Sequence, residues 1–90
     1  MSTAEDYEAA EGSYLDALRV GASPSELATA ARAVSSAAAA WESAAYRRFF
    51  DARASEGDIA REVIEMEIEA EKAELLHELW ADIAAAHAAA

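Results

Sequence analysis

Residues 58–87 carry two separate rows of apolar side chains along one predicted helix. The segment reads DIAREVIEMEIEAEKAELLHELWADIAAAH. Its first row consists of two interleaved series with a period of seven, which is the a/d spacing that holds one stripe of a helix against a neighbouring helix. The members of this row are Ile59, Val63, Met66, Ala70, Ala73, His77, Trp80 and Ala84.

A second apolar row lies well round the same helix. It consists of Ile64, Ile68, Leu75, Leu79 and Ile83. One antiparallel neighbour covers only one side of a helix, so a second apolar side predicts covering by further helices. Because 90 residues form one small domain with little material to cover both sides, we expect a helical bundle that a second copy of the chain completes as a dimer.

The composition describes an acidic chain with a net charge of -11 and an isoelectric point near 4.4. This charge repels nucleic acids and anionic membranes and favours basic partners, so we expect neither direct nucleic-acid binding nor membrane binding. Cysteine is absent, which excludes disulfides and thiolate sites. The acidic N-terminus and the lack of a long apolar run predict no signal peptide and a cytoplasmic location.

Three glycines, one proline and abundant alanine favour helix throughout, so the predicted fold class is all-α. We expect a single domain over residues 1–90, with a short N-terminal helix followed by a long antiparallel αα-hairpin. The predicted helices are 3–20, 24–53 and 58–87.

Capping residues set these boundaries. Ser2 with Glu5, and Ser23-Pro24-Ser25-Glu26, have the form of capping boxes, and Gly21 suits the position just after a helix. Asp58 is the predicted N-cap of the third helix. The short loop 54–57 predicts antiparallel neighbours. In that register Trp41 lies level with Ala70 and Ala73.

Carboxylates form a row on the third helix without a basic residue among them. Because such spacing destabilises an isolated helix slightly, either water or a basic partner surface would compensate. Aromatic and arginine side chains near the end of the second helix resemble a protein-binding hot spot. The predicted partner-binding residues are Trp41, Tyr46, Arg47, Arg48, Phe49, Phe50, Glu67, Glu71, Glu74, Glu78 and Trp80.

Metal binding is an alternative use of the same carboxylates. Glu71, Glu74 and His77 follow one another at three-residue steps, and residues 74–77 have the Glu-x-x-His form found in di-iron helical bundles. With Glu42 level with Glu71, the set resembles the site of ferritin-like proteins such as the encapsulin-associated ferritins. This resemblance implies a divalent metal or iron; the other interpretation of His77 is a packed core or interface histidine.

Three functions remain open from the sequence. The first is a non-enzymatic, cofactor-free module that self-associates and binds or assembles with another protein. The second is the ferritin-like metal protein. The third is a nucleic-acid mimic whose carboxylates occupy a basic groove on an inhibited partner. No glycine-rich phosphate loop and no nucleophile with a His–Asp arrangement points to catalysis.

Overall fold

The computed structural model describes residues 2–57 and 60–90, except for the side chain of Glu56. The described chain forms three helices and no strand: α1 (Thr3–Arg19), α2 (Pro24–Glu56) and α3 (Arg61–Ala88). The all-α class is therefore confirmed. Among these residues, no helix combines the length and the apolarity needed to cross a membrane.

Helix α1 is bounded by the predicted signals. The Ser2 hydroxyl accepts a hydrogen bond from the Glu5 backbone N–H, and the Glu5 carboxylate accepts one from the Ser2 N–H. At the other end Gly21 has a φ of 75°. This left-handed conformation lets the N–H groups of Gly21 and Ala22 reach the carbonyls of Leu18 and Ala17, which is a Schellman motif.

Helix α2 begins with a second capping box, in which Ser23 and Glu26 exchange the same pair of bonds around Pro24. It continues to Glu56, three residues beyond the predicted end at Arg53. Residues 54–56 are compatible with helix, and the first residue that ends it is Gly57, with a φ of 89°. The predicted loop 54–57 was therefore wrong for its first three residues.

Helix α3 is described from Arg61, with Ala60 at the N-cap position and no side-chain capping bond. The predicted cap, Asp58, and the first residue of the seven-residue pattern, Ile59, lie outside the described residues. At the other end the helix reaches Ala88, one residue beyond the prediction.

Contacts between α2 and α3 run in opposite order along the two helices. Ser35 and Glu42 hydrogen-bond His77, whereas Arg48, further along α2, bonds Glu69, earlier in α3. The buried interior is rich in alanine, and small side chains let helices approach closely. Fully buried alanines between the two helices are Ala31, Ala38, Ala70 and Ala73.

Helix α1 docks on its own chain through two tyrosines. The ring centroids of Tyr7 and Trp41 lie 5.4 Å apart, and those of Tyr14 and Trp80 lie 4.9 Å apart in an edge-on arrangement. The Tyr14 hydroxyl also lies 2.6 Å from His87 Nε2. These contacts cover one side of the α2–α3 pair. The aromatic side chains of α1 therefore link it to both longer helices.

Candidate functional site

The second apolar row of α3 is largely uncovered within the chain. Ile64, Ile68, Leu75 and Leu79 are 44, 59, 66 and 50% exposed, and we call these four residues the outer face. Ile83, the fifth member of the predicted row, instead packs against the core. The first row behaves differently, since most of its described members are buried.

The position of the outer face follows from helix geometry. At about 100° of rotation per residue, the four side chains fall within an arc of about 60°, on the far side of the helix from Ala70 and Ala73. Ile64 and Leu75 are separated by 11 residues, as are Ile68 and Leu79. An 11-residue repeat stays nearly in line on a straight helix, so the outer face forms one continuous stripe.

Carboxylates line one edge of this stripe. Glu67, Glu71 and Glu78 are exposed and Glu74 is half-buried, and we call these four residues the acidic flank. The two lysine or arginine residues of α3 face elsewhere. Arg61 pairs with Glu65 at 3.1 Å, and the Lys72 ammonium lies 6.0 Å from the Trp41 ring centroid, toward α1.

Tyr46 of α2 lies against the acidic flank. Its hydroxyl donates a hydrogen bond to Glu74 Oε1 over 2.5 Å, and its ring stacks on Phe50 with centroids 6.0 Å apart. This bond to Glu74, with the nearby negative charges, raises the pKa of Tyr46 to about 12. Tyr46, Glu71, Glu74 and Leu75 together line a shallow groove that joins the acidic flank to the outer face.

Three of the four predicted metal ligands, Glu42, Glu74 and His77, have hydrogen-bond partners within the chain. Glu42 Oε1 lies 2.8 Å from His77 Nδ1, whereas the sequence register had placed Glu42 level with Glu71. Glu74 accepts the bond from Tyr46. Within residues 2–57 and 60–90, no three histidine or carboxylate side chains are arranged to hold one metal ion.

Three of the predicted partner-binding aromatics lie in the interior. Trp41, Phe49 and Trp80 are buried, so they support the fold and contribute little accessible surface. Phe50 and Arg47 are exposed. The heptad position of Trp80 and the helical spacing of Trp41 and Phe49 account for this burial, because large aromatic side chains fill the space beside small alanines.

Glu69 is a contact centre that the sequence analysis did not identify. Its Oε2 accepts hydrogen bonds from Trp41 Nε1 at 3.0 Å and from Arg48 at 2.6 Å. The predicted partner-binding residue Arg48 therefore has a carboxylate partner inside the chain. A sequence signal existed, since Glu69 lies one residue from the buried Ala70 on the edge of the predicted interface.

Comparison of the chain with protein-family models, curated proteins and solved structures found no match.

Proposed function

We propose that the protein is a cytoplasmic, non-enzymatic helical module that self-associates and assembles with another protein. The observation that carries this proposal is the exposure of the outer face. Single exposed apolar residues are common on protein surfaces, but four large aliphatic side chains in one stripe form a contiguous apolar patch. Patches of this kind mark interaction surfaces. Covering them with another helix removes their apolar area from water.

The spacing of the outer face suits a second copy of the chain. From Ile64 to Leu79 the intervals are four, seven and four residues, so the pattern is the same in both directions. An antiparallel copy would therefore set Ile64 against Leu79 of the partner subunit, and Ile68 against Leu75 of the partner subunit. A self-complementary surface of this kind is what a two-fold dimer requires.

Sedimentation equilibrium or light scattering over a range of concentrations tests this proposal. We expect a concentration-dependent dimer for the natural chain, and a monomer for the double substitution Ile68→Glu and Leu75→Glu. The matched control is Leu15→Glu with Leu18→Glu on α1, because these leucines are 52 and 50% exposed away from the outer face. Circular dichroism establishes that each variant remains helical.

A strictly monomeric natural chain at high micromolar concentration would contradict self-association. An unchanged dimer in the outer-face variant would show that the chains associate through another surface.

A further inference from the structure

We infer that the other protein bound at the outer face presents a basic amphipathic helix, and that this helix competes with the second copy for the same stripe. The inference rests on the proposed function, because it requires the outer face to bind a polypeptide. It adds the chemical class of the partner, which follows from the carboxylates along one edge of the stripe.

The acidic flank runs beside the stripe for most of its length. Glu67, Glu71 and Glu78 all project into solvent, and Glu74, the fourth member of the flank, is half-buried. The two bases of α3 lie away from this edge, because Arg61 pairs with Glu65 and Lys72 lies over the Trp41 ring. A helix that lies on the outer face and carries lysine or arginine along its matching edge meets opposite charges there.

A second copy of the chain matches the outer face in the spacing of its side chains but not in charge. In an antiparallel two-fold pair, like edges of the two helices meet, so the acidic flanks of both chains would lie along the same side of the interface. Repulsion between the two rows of carboxylates opposes association, and salt screens this repulsion. Self-association through the outer face is therefore weaker than binding of a basic helix at low ionic strength.

The groove beside Leu75 strengthens the case for a basic partner. A lysine or arginine side chain that enters it would meet Glu71 and Glu74 together with the Tyr46 ring. Its aliphatic stem can lie along Leu75 while its charge reaches the carboxylates. Aromatic rings also attract cations that approach their faces.

The length of the stripe sets the length of the partner helix. Sixteen residues, from Ile64 to Leu79, span about 22 Å along a helix. We therefore expect a partner segment of roughly 16 to 20 residues, with aliphatic residues in a narrow row and bases on at least one edge.

Synthetic helical peptides of about 20 residues test this inference with the full chain. The probe carries leucines at intervals of four, seven and four, with lysine at the flanking positions. One control replaces the lysines with glutamate, and the other keeps the lysines and replaces the leucines with alanine. Fluorescence anisotropy of labelled peptides gives each affinity. We expect only the leucine–lysine peptide to bind, and we expect it to dissociate the dimer.

Salt should have opposite effects on peptide binding and on dimer formation at the outer face. Raising NaCl from about 0.05 to about 0.5 M shortens the screening length by roughly threefold. We expect the peptide affinity to fall by about tenfold or more, while the dimer becomes tighter as the carboxylate repulsion is screened. Peptide affinity that does not change with salt would overturn the inference.

A single charge substitution sharpens this contrast. Glu71→Gln removes one charge of the acidic flank, and we expect it to weaken peptide binding and to strengthen the dimer. Glu8→Gln on α1 removes an exposed charge away from the stripe and should change neither. If Glu8→Gln has the same effect as Glu71→Gln, net charge and not the flank determines binding, and the inference fails.

The outcomes distinguish the inference from the proposed function. Dimer formation without peptide binding would leave self-association standing and overturn the basic-helix inference. Peptide binding by a strictly monomeric chain would support the basic-helix partner, but would contradict self-association and with it the competition between the two occupants. Equal binding of the lysine and glutamate peptides would overturn the inference by removing the role of charge.

Discussion

The indole Nε1–H of Trp80 donates a hydrogen bond to the hydroxyl oxygen of Tyr7 over 3.0 Å, in the interior of the protein. The two residues are 73 positions apart and belong to the first and last helices. The same hydroxyl donates to Glu11 Oε2 at the surface of α1, also over 3.0 Å. A short polar chain thus connects the buried tryptophan of α3 to a partly buried carboxylate of α1 and holds α1 against α3.

Tyr7→Phe should lower the free energy of unfolding by about 1–3 kcal/mol, because the buried Trp80 N–H loses its acceptor while the ring stays in place. Urea unfolding followed by tryptophan fluorescence measures the change. Tyr46→Phe is the control, since its partner Glu74 is only half-buried and water can replace the lost hydroxyl. A loss in Tyr7→Phe no larger than in the control would contradict a structural role for the Trp80 bond.

The fully buried alanines predict sensitivity to added volume. Ala38→Leu should lower the free energy of unfolding by roughly 1–3 kcal/mol, because the larger side chain forces α2 away from its neighbours. Ala40→Leu, two residues along the same helix at an exposed position, should have little effect. Thermal unfolding by circular dichroism compares the two. Equal stability of both variants would contradict the close packing of the helices around Ala38, because the interior would then have space for the larger side chain.

The capping box of α2 predicts a local effect on stability. Ser23→Ala removes the acceptor of the Glu26 N–H and should cost about 1 kcal/mol. Ser25→Ala is the matched control because its hydroxyl has no part in that box. Chemical unfolding of both variants measures the difference. If the two serines contribute equally, the capping bond adds no measurable stability.

The raised pKa of Tyr46 predicts that the folded chain loses stability at alkaline pH. Its pKa is raised from the ordinary value of 10.0 to about 12, first by its hydrogen bond to Glu74. Because the folded state holds this proton more tightly than the unfolded state, the contribution is complete below pH 10 and is lost as the pH rises from about 10 to about 12.

Ultraviolet titration of tyrosine in the natural chain should include an ionisation near pH 12 that belongs to Tyr46. In Glu74→Gln the pKa of Tyr46 should move back toward its ordinary value, and in Tyr46→Phe the ionisation should disappear. A Tyr46→Phe variant with the same alkaline dependence of unfolding as the natural chain would assign that dependence to other groups.

The all-α class and the first two helix starts could be predicted from the sequence because they depend on local chemistry. Ser2 and Ser23 form their capping boxes with residues three positions away, and Gly21 adopts its left-handed turn without help from distant contacts. The buried row of α3 was also recognisable, since Val63, Ala70, Ala73, Trp80 and Ala84 repeat with the helical period.

The candidate site was less predictable. The sequence identified the aliphatic row and the carboxylates, but it also predicted Trp41 and Phe49 as contact residues, and both are buried. The pairing of Glu42 with His77 depends on the register between two helices, and a shift of one helical turn changes which side chains meet. The self-association of the chain stays a prediction.

The sequence alone determined that this chain is helical, where its first two helices start and that the a/d row of α3 packs against a neighbouring helix, because caps and apolar periodicity act within a few residues. Only the tertiary structure decided that α1 docks on its own chain through Tyr7 and Tyr14, and that α1 leaves the outer face of α3 uncovered. That outcome depends on the directions and separations of whole helices. Contacts between residues more than 70 positions apart set these, and no local pattern encodes them.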